Sequence, residues 1–276
     1  RPIEIVRSFA AALGRREYAT RVAEQGAPEL RRLLRDMNRL AQDLGERDAR
    51  LLEHMARMAE TRDPKETGAH VKRVSGVSLE IYEGWLQRHP MDPSRAAIQR
   101  DMLAAAAILH DVGKVGVSDT VLKKPGKLDD AEYVAMKRHS VLGASLLPGQ
   151  DAYERNAREV ALRHHERWDG KGYPGRVDLS AAHGDINQLL EMPMNGVGLA
   201  GEDIPLFARI VAIADVFDAL SSRRSYKEPW PEEKVLQAIR DDSGKAFDPE
   251  LVQIFIERIE RVKAAWAKHP DLHVTA

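Results

Sequence analysis

The sequence predicts an all-α protein, and three observations carry that expectation. Apolar residues recur at three- and four-residue intervals along most of the chain. Aromatics make up only 5% of the residues while Ala, Leu, Arg and Glu are abundant, a balance that favours helix over sheet. No set of alternating segments reads as strands, and there is no internal repeat or low-complexity tract. A chain of 276 residues is long enough for one large domain, or for a domain with an appendage.

The first element is a short amphipathic run through Ile3, Ile5, Val6, Phe9 and Leu13, with a break at Gly26-Ala27-Pro28. From Glu29 a longer helix begins. Leu30, Leu34, Met37, Ala41, Leu44, Asp48, Leu51, Met55 and Met58 are spaced alternately four and three, as in a heptad seam with Asp48 as its one violation. Leu33, Leu40 and Leu52 widen the stripe. Two readings stand, a helix packed on its own domain or a parallel coiled-coil stalk that dimerises the chain. The expected division is therefore an N-terminal helical region over 1–58 and a main domain over 59–276.

Glu66 and His70 stand four apart and share a face if helical, a spacing suited to chelating one ion. Alone, such a pair is usually a solvated surface contact. This helix runs on through Leu79, Ile81 and Leu86 to His89, where Pro90 stops it, and 91–95 read as a loop. An alanine-rich helix then leads into His110-Asp111-Val112-Gly113-Lys114. His110 and Asp111 diverge in direction, and Lys114, four residues past His110, falls on the histidine's face. Asp129 and Glu132 make a capping box for a helix carrying Met136 and His139. By itself His139 reads as a core histidine.

A helix over roughly 151–166 ends in His164-His165, and the glycines and proline of 166–175 make the next stretch loop. Residues 206–220 form a strongly apolar helix with Asp215 and Asp218 three apart. A carboxylate there is costly unless it is paired or ligates a metal. Helices over 231–241 and 248–268 close the chain, the second with Asp248 as N-cap and Pro249 at its first turn.

Composition excludes some functions. With a net charge of −1 there is no general case for nucleic acid or an anionic membrane surface as partner. Zero cysteines rule out disulfides and thiolate metal sites, and fit a cytoplasmic location. No apolar stretch approaches the roughly 20 residues needed to span a bilayer. The chain opens at Arg1 with no initiating Met or signal pattern, and the expectation is a piece of a longer protein with a sensory domain upstream.

His70, His110, Asp111, His139, His164, His165 and Asp215, with Glu66 as an eighth, offer more nitrogen and oxygen donors than one ion needs. Imidazole and carboxylate without thiolate suit iron, manganese, nickel or zinc. Two ions about 3.5–4 Å apart, bridged by a carboxylate such as Asp111, would activate a water and clamp a phosphodiester. Lys114 would then stabilise charge on the phosphoryl oxygens.

Together these pieces resemble the HD-GYP family, bacterial phosphodiesterases of cyclic di-GMP within the HD superfamily. The matching residues are Glu66-Thr67-Gly68-Ala69-His70, His110-Asp111-Val112-Gly113-Lys114, His139, the run from His164 to Pro174, Asp215-Val216-Phe217-Asp218-Ala219-Leu220, Tyr226-Lys227 and Phe247-Asp248-Pro249. The resemblance spans about residues 50 to 260. It implies an all-helical HD-domain bundle with two or three metal ions, commonly iron. It also implies hydrolysis of cyclic di-GMP to linear pGpG or GMP in second-messenger signalling. By position it makes His70, His110, Asp111, His139, His164, His165 and Asp215 metal ligands, with Glu66 holding a third ion. It places Lys114 on the scissile phosphate, and Arg224 and Lys227 on the dinucleotide.

The departures leave every ligand in place. The family's Asp-Arg-Pro-Tyr-Lys run reads Arg223-Arg224-Ser225-Tyr226-Lys227, Ala246 replaces a polar residue, and Lys65 lengthens the segment before Glu66. The largest is an insertion of about twenty residues, 176–197, expected to be a loop without regular structure. It reads as a lid over the pocket, with Met192 and Met194 as adaptable packing contacts, or as a docking surface for a protein partner. The GYP loop is a second candidate docking surface. Two other functions stand beside the phosphodiesterase: a cyclic di-GMP receptor or docking module with little turnover, and a hydrolase of another cyclic dinucleotide or phosphate substrate.

Overall fold

A computed structural model of the protein describes residues 2–60, 62–63, 69–147, 149–179, 186–191, 194, 197–222 and 228–270. Among them regular structure is helical, apart from one isolated bridge between Ser243 and Phe247. None of these helices is long and apolar enough to cross a membrane.

Helices α1 (Pro2–Gly14) and α2 (Pro28–Glu60) form the N-terminal region. Phe9 and Ala12 of α1 and Leu34 and Ala41 of α2 are buried. The segment between them folds back along α2. Asn38 exchanges two side-chain hydrogen bonds of 2.9 Å with the backbone of Val22, and the Tyr18 hydroxyl donates to Asp48 at 2.7 Å. That bond accounts for the one polar residue in the heptad seam. The far end of α2 is built into the main domain, where Leu52 and Ala56 pack with Val71 and Ile108.

The core gathers around α3 (His70–Arg88), which packs on α4 (Pro93–Ile108) and on the later α10 (Leu206–Ser221), α12 (Pro249–Glu257) and α13 (Ile259–Ala267). Helix α10 is apolar on nearly every side, with Phe207, Ile210, Val211, Ile213, Ala214 and Phe217 all buried, as befits a central helix. Between α4 and α10 lie a 3₁₀ turn (Val112–Gly116), α5 (Asp119–Leu122), α6 (Asp130–Lys137), α7 (His139–Ser145), α8 (Ala152–Arg163) and α9 (Ile186–Glu191). Helix α11 (Glu232–Asp241) precedes α12. Arg16, at the end of α1, lies 3.4 Å from Asp151 at the start of α8.

Three expectations need correction. Residues 93–95 are not loop, because Asp92 caps α4 through the amides of Ser94 and Arg95 and Pro93 occupies its first turn. The closing helix over 248–268 breaks at Arg258 (φ −104°, ψ 13°). There the guanidinium turns inward to Glu80 at 2.6 Å, and the bend lets Leu251 and Phe255 on one side and Val262 on the other stay buried. The insertion is not without regular structure, since it contains α9. Leu189 and Met194 are buried against Val141, Leu142 and Ala144 of α7 and Leu162 of α8, while Met192 lies outside the described residues.

Candidate metal centre

Five elements deliver the predicted donors. His70 is the first residue of α3. His110 and Asp111 follow the last turn of α4 and precede the 3₁₀ turn, instead of lying within a continuous helix. His139 opens α7, His164-His165 follow α8, and Asp215 lies in the middle of α10. Helix ends meet here because backbone comes into contact with backbone. A β-carbon on Gly113 would collide with the His139 carbonyl oxygen and the Gly143 amide, so only glycine lets the 3₁₀ turn lie on the start of α7.

The seven donors fall into two groups. Asp111, His139, His164 and His165 have ligand atoms within 4.8 Å of one another, and so do His70, His110 and Asp215. The groups adjoin, with the His110 and His164 ring centroids 5.1 Å apart and His110 Nε2 3.3 Å from Asp111 Oδ2. Glu66, Arg224 and Lys227 lie outside the described residues.

The imidazole tautomers are set by what each Nδ1 touches. Nδ1 of His110 lies 2.8 Å from the Ala107 carbonyl, that of His139 2.7 Å from the Met136 carbonyl, and that of His164 3.0 Å from the Val160 carbonyl. A carbonyl only accepts, so each Nδ1 carries the proton and each Nε2 presents a lone pair. The Nε2 atoms of these three rings, and Asp111 Oδ1, are buried without a hydrogen-bond partner. Buried acceptors left without donors are costly, and a cation is what such a set can accept. His70 follows the same rule through a carboxylate, its Nδ1 lying 2.7 Å from Asp218 Oδ2 and its Nε2 3.7 Å from Asp215 Oδ1.

Electrostatics agree with this reading for His139 and His165, whereas at His110 the effect of burial is outweighed by the neighbouring Asp111 carboxylate, which raises the imidazole. Burial pushes the His139 imidazole down to about 4, and burial beside His164 and His139 holds His165 well below the usual range. Both are therefore neutral near pH 7, the form that donates to a metal. Burial alone would raise the Asp111 carboxyl, but Lys114 and His110 hold it well below the usual range. Lys114 Nζ lies 2.9 Å from Asp111 Oδ2, so the lysine sits on the aspartate's side and not on the face of His110 that helical spacing predicts. The 3₁₀ geometry after Ile108 makes the difference, because three residues per turn align Lys114 with Asp111.

Three supporting carboxylates were not among the predicted site residues. Asp63 pairs with Lys114 at 3.2 Å, and Asp218 orients His70. Glu166, buried beside the candidate ligands His164-His165, accepts the Gly175 amide on one oxygen and the Leu199 amide on the other. It thereby joins the two stems of the insertion. The signal for Asp218 was present in the sequence as a second costly carboxylate on an apolar helix; nothing in spacing marked Asp63 or Glu166. Over the site, Tyr173 stacks on His165 with centroids 4.7 Å apart, and burial raises its phenol well above its usual value.

Comparisons with known proteins agree with this geometry. The family described as "HD domain" matches residues 67–220, and a second HD domain description matches 195–251. The chain is 38% identical over 230 residues to a Vibrio cholerae protein named 3'3'-cGAMP-specific phosphodiesterase 2, covering 83% of this chain and 38% of that protein. It is 37% identical to the cyclic di-GMP phosphodiesterase response regulator RpfG of Xanthomonas campestris pv. campestris, covering 93% and 59% respectively. It is 35% identical to a Thermotoga maritima cyclic di-GMP phosphodiesterase, covering 80% and 52%. The chain thus spans less than two thirds of each of these relatives. Among solved structures, that of a cyclic GMP-AMP specific phosphodiesterase of V. cholerae, V-cGAP3, superposes with a TM-score of 0.50 at 20% identity. The match covers 78% of this chain and 50% of that one, a likeness of fold.

Proposed function

The chain belongs to the HD domain family and is of the HD-GYP type, and from that premise we propose that it is a metal-dependent phosphodiesterase hydrolysing cyclic di-GMP to pGpG or GMP. The observation that carries the proposal is the convergence of three buried Nε2 lone pairs and Asp111 Oδ1, none of them with a hydrogen-bond partner. Asp111, His139, His164 and His165 would hold one ion, and His70, His110 and Asp215 a second, with Asp111 as the carboxylate between them. Glu66 is proposed for a third. Iron is the proposed metal, with manganese, nickel and zinc as the other chemistries the donors suit.

When bound, such ions polarise the phosphoryl group and lower the pKa of water. The protein's own groups do the rest. The Nδ1 hydrogen bonds hold each ring so that its Nε2 faces inward, and Asp218 does this for His70. Lys114 supplies a positive charge for the phosphoryl oxygens, and Arg224 and Lys227 are proposed to bind the dinucleotide. The proposed setting is cytoplasmic signalling, with 1–58 as a dimerising stalk and 59–276 as the catalytic domain. A sensory domain would act through the stalk, and a protein partner would dock at the GYP loop or the insertion.

The test is turnover of cyclic di-GMP by anaerobically iron-loaded protein, with metal content measured on the same sample and 3'3'-cGAMP run beside it. Hydrolysis of cyclic di-GMP that disappears together with metal in His110→Ala and Asp111→Ala is the expected result. Binding without turnover in a metal-replete sample would make the protein a receptor. Preference for 3'3'-cGAMP would move the substrate to the other cyclic dinucleotide.

A further inference from the structure

We propose that Asp63, in the segment linking α2 to α3, is a positioning residue that holds the Lys114 ammonium in place beside the candidate metal centre. The inference rests on the phosphodiesterase reading and assigns a role to a residue that reading does not use. Lys114 Nζ lies between two carboxylates, 2.9 Å from Asp111 and 3.2 Å from Asp63. The lysine side chain is 13% exposed and that of Asp63 5%, so both charges are largely shielded from solvent. Asp63 belongs to neither group of candidate ligands, whereas Asp111 belongs to one. Cations held by Asp111 would draw on its charge and repel an ammonium a few ångströms away, since like charges at that range in a buried site interact strongly. Asp63 is then a carboxylate outside both ligand groups that holds Lys114 against that repulsion.

The linker is itself anchored to the turn that carries Lys114. Arg62 donates to Asp119 Oδ1 at 2.7 Å, to the Val117 carbonyl at 3.3 Å and to the Val115 carbonyl. Residues 62 and 63 therefore grip both the backbone around Lys114 and its side-chain charge. They do so directly after the end of α2, so a displacement of α2 would be felt at Lys114.

The experiment compares Asp63→Asn and Asp63→Glu with the unaltered chain, each loaded with iron for kinetics and with zinc for labelling. The readouts are metal per chain, kcat and KM for cyclic di-GMP, and the rate of Lys114 acetylation in competitive labelling read by mass spectrometry. Asp63→Asn is expected to keep its metal and its KM within about twofold while kcat falls about 10–100-fold, the range for outer supporting groups. Its Lys114 should acetylate several-fold faster, and Asp63→Glu should recover most of both properties. Unchanged labelling and kcat in Asp63→Asn would overturn the proposal. So would loss of metal alongside kcat, or equal damage in the Glu and Asn variants, either of which would make Asp63 a structural support. If the unaltered chain neither binds nor hydrolyses cyclic di-GMP, the phosphodiesterase reading fails, while the labelling comparison still decides whether Asp63 holds Lys114.

Discussion

Asp218 accepts from His70, from the Arg73 guanidinium, from the Ser222 hydroxyl and from the half-buried Trp266 indole, and is itself almost without access to water. Burial would raise its carboxyl, but His70 and Arg73 hold it below the usual carboxylate range. Arg73 is as buried as its partner, so removing the carboxylate strips a buried cation of this counter-charge. Asp218→Ala is expected to lose about 3–5 kcal/mol in chemical denaturation. It should also lose bound metal, because His70 is no longer oriented. Lys114→Ala is expected to behave differently: metal content unchanged, kcat lower by about 10²–10³-fold, the loss typical of one group that stabilises developing charge. Near-normal turnover in metal-replete Lys114→Ala protein would remove the lysine from the mechanism. At this scale the seven donors were legible from residue type and spacing. Asp215 was among them; what spacing did not reveal is that Asp218, on the same helix face, stands behind His70 and orients it.

The 3₁₀ turn and α7 meet at glycine, and the insertion packs on the other side of α7. Gly113→Ala places a methyl group on the His139 carbonyl, where neither backbone can yield without moving a candidate ligand. It is expected to destabilise the protein by about 1–3 kcal/mol or more and to lower metal content, read by thermal unfolding and elemental analysis. Leu189, 3% exposed, fills the satellite core on α7 with Met194. Leu189→Ala should cost about 2–5 kcal/mol if that cluster folds as one unit with the domain. Replacing 176–197 with a short Gly-Ser link separates the remaining readings of the insertion. A lid predicts altered KM or kcat for cyclic di-GMP, and unaltered kinetics in a folded, metal-loaded variant would leave only packing or docking. The caps at Asp129 and Asp248 were readable because caps are local. The break at Arg258 was not, because it serves a contact with Glu80 on a distant helix.

Across the whole molecule, α2 carries an apolar stripe too wide for one surface. Leu34, Ala41, Ala56 and Ala59 are buried within the chain, whereas Leu33, Leu40, Leu51, Met55 and Met58 are exposed, and at about 100° per residue those five lie along one side. A second copy of α2 is the proposed cover for that side. Deleting residues 1–50 is expected to give monomers in light scattering, and a truncated protein that remains dimeric would reduce the seam to packing within the chain. The helical class, the seven candidate donors and the apolar character of α2 were all legible along the chain, because periodicity, residue chemistry and capping act over one or two turns. Tertiary structure decided the grouping of the donors into two sets, the placement of Lys114 between Asp111 and Asp63, and which half of the α2 stripe is covered. Those depend on helix ends brought together from positions as far apart as 63 and 215, and no local pattern records a distance between segments separated by so much chain.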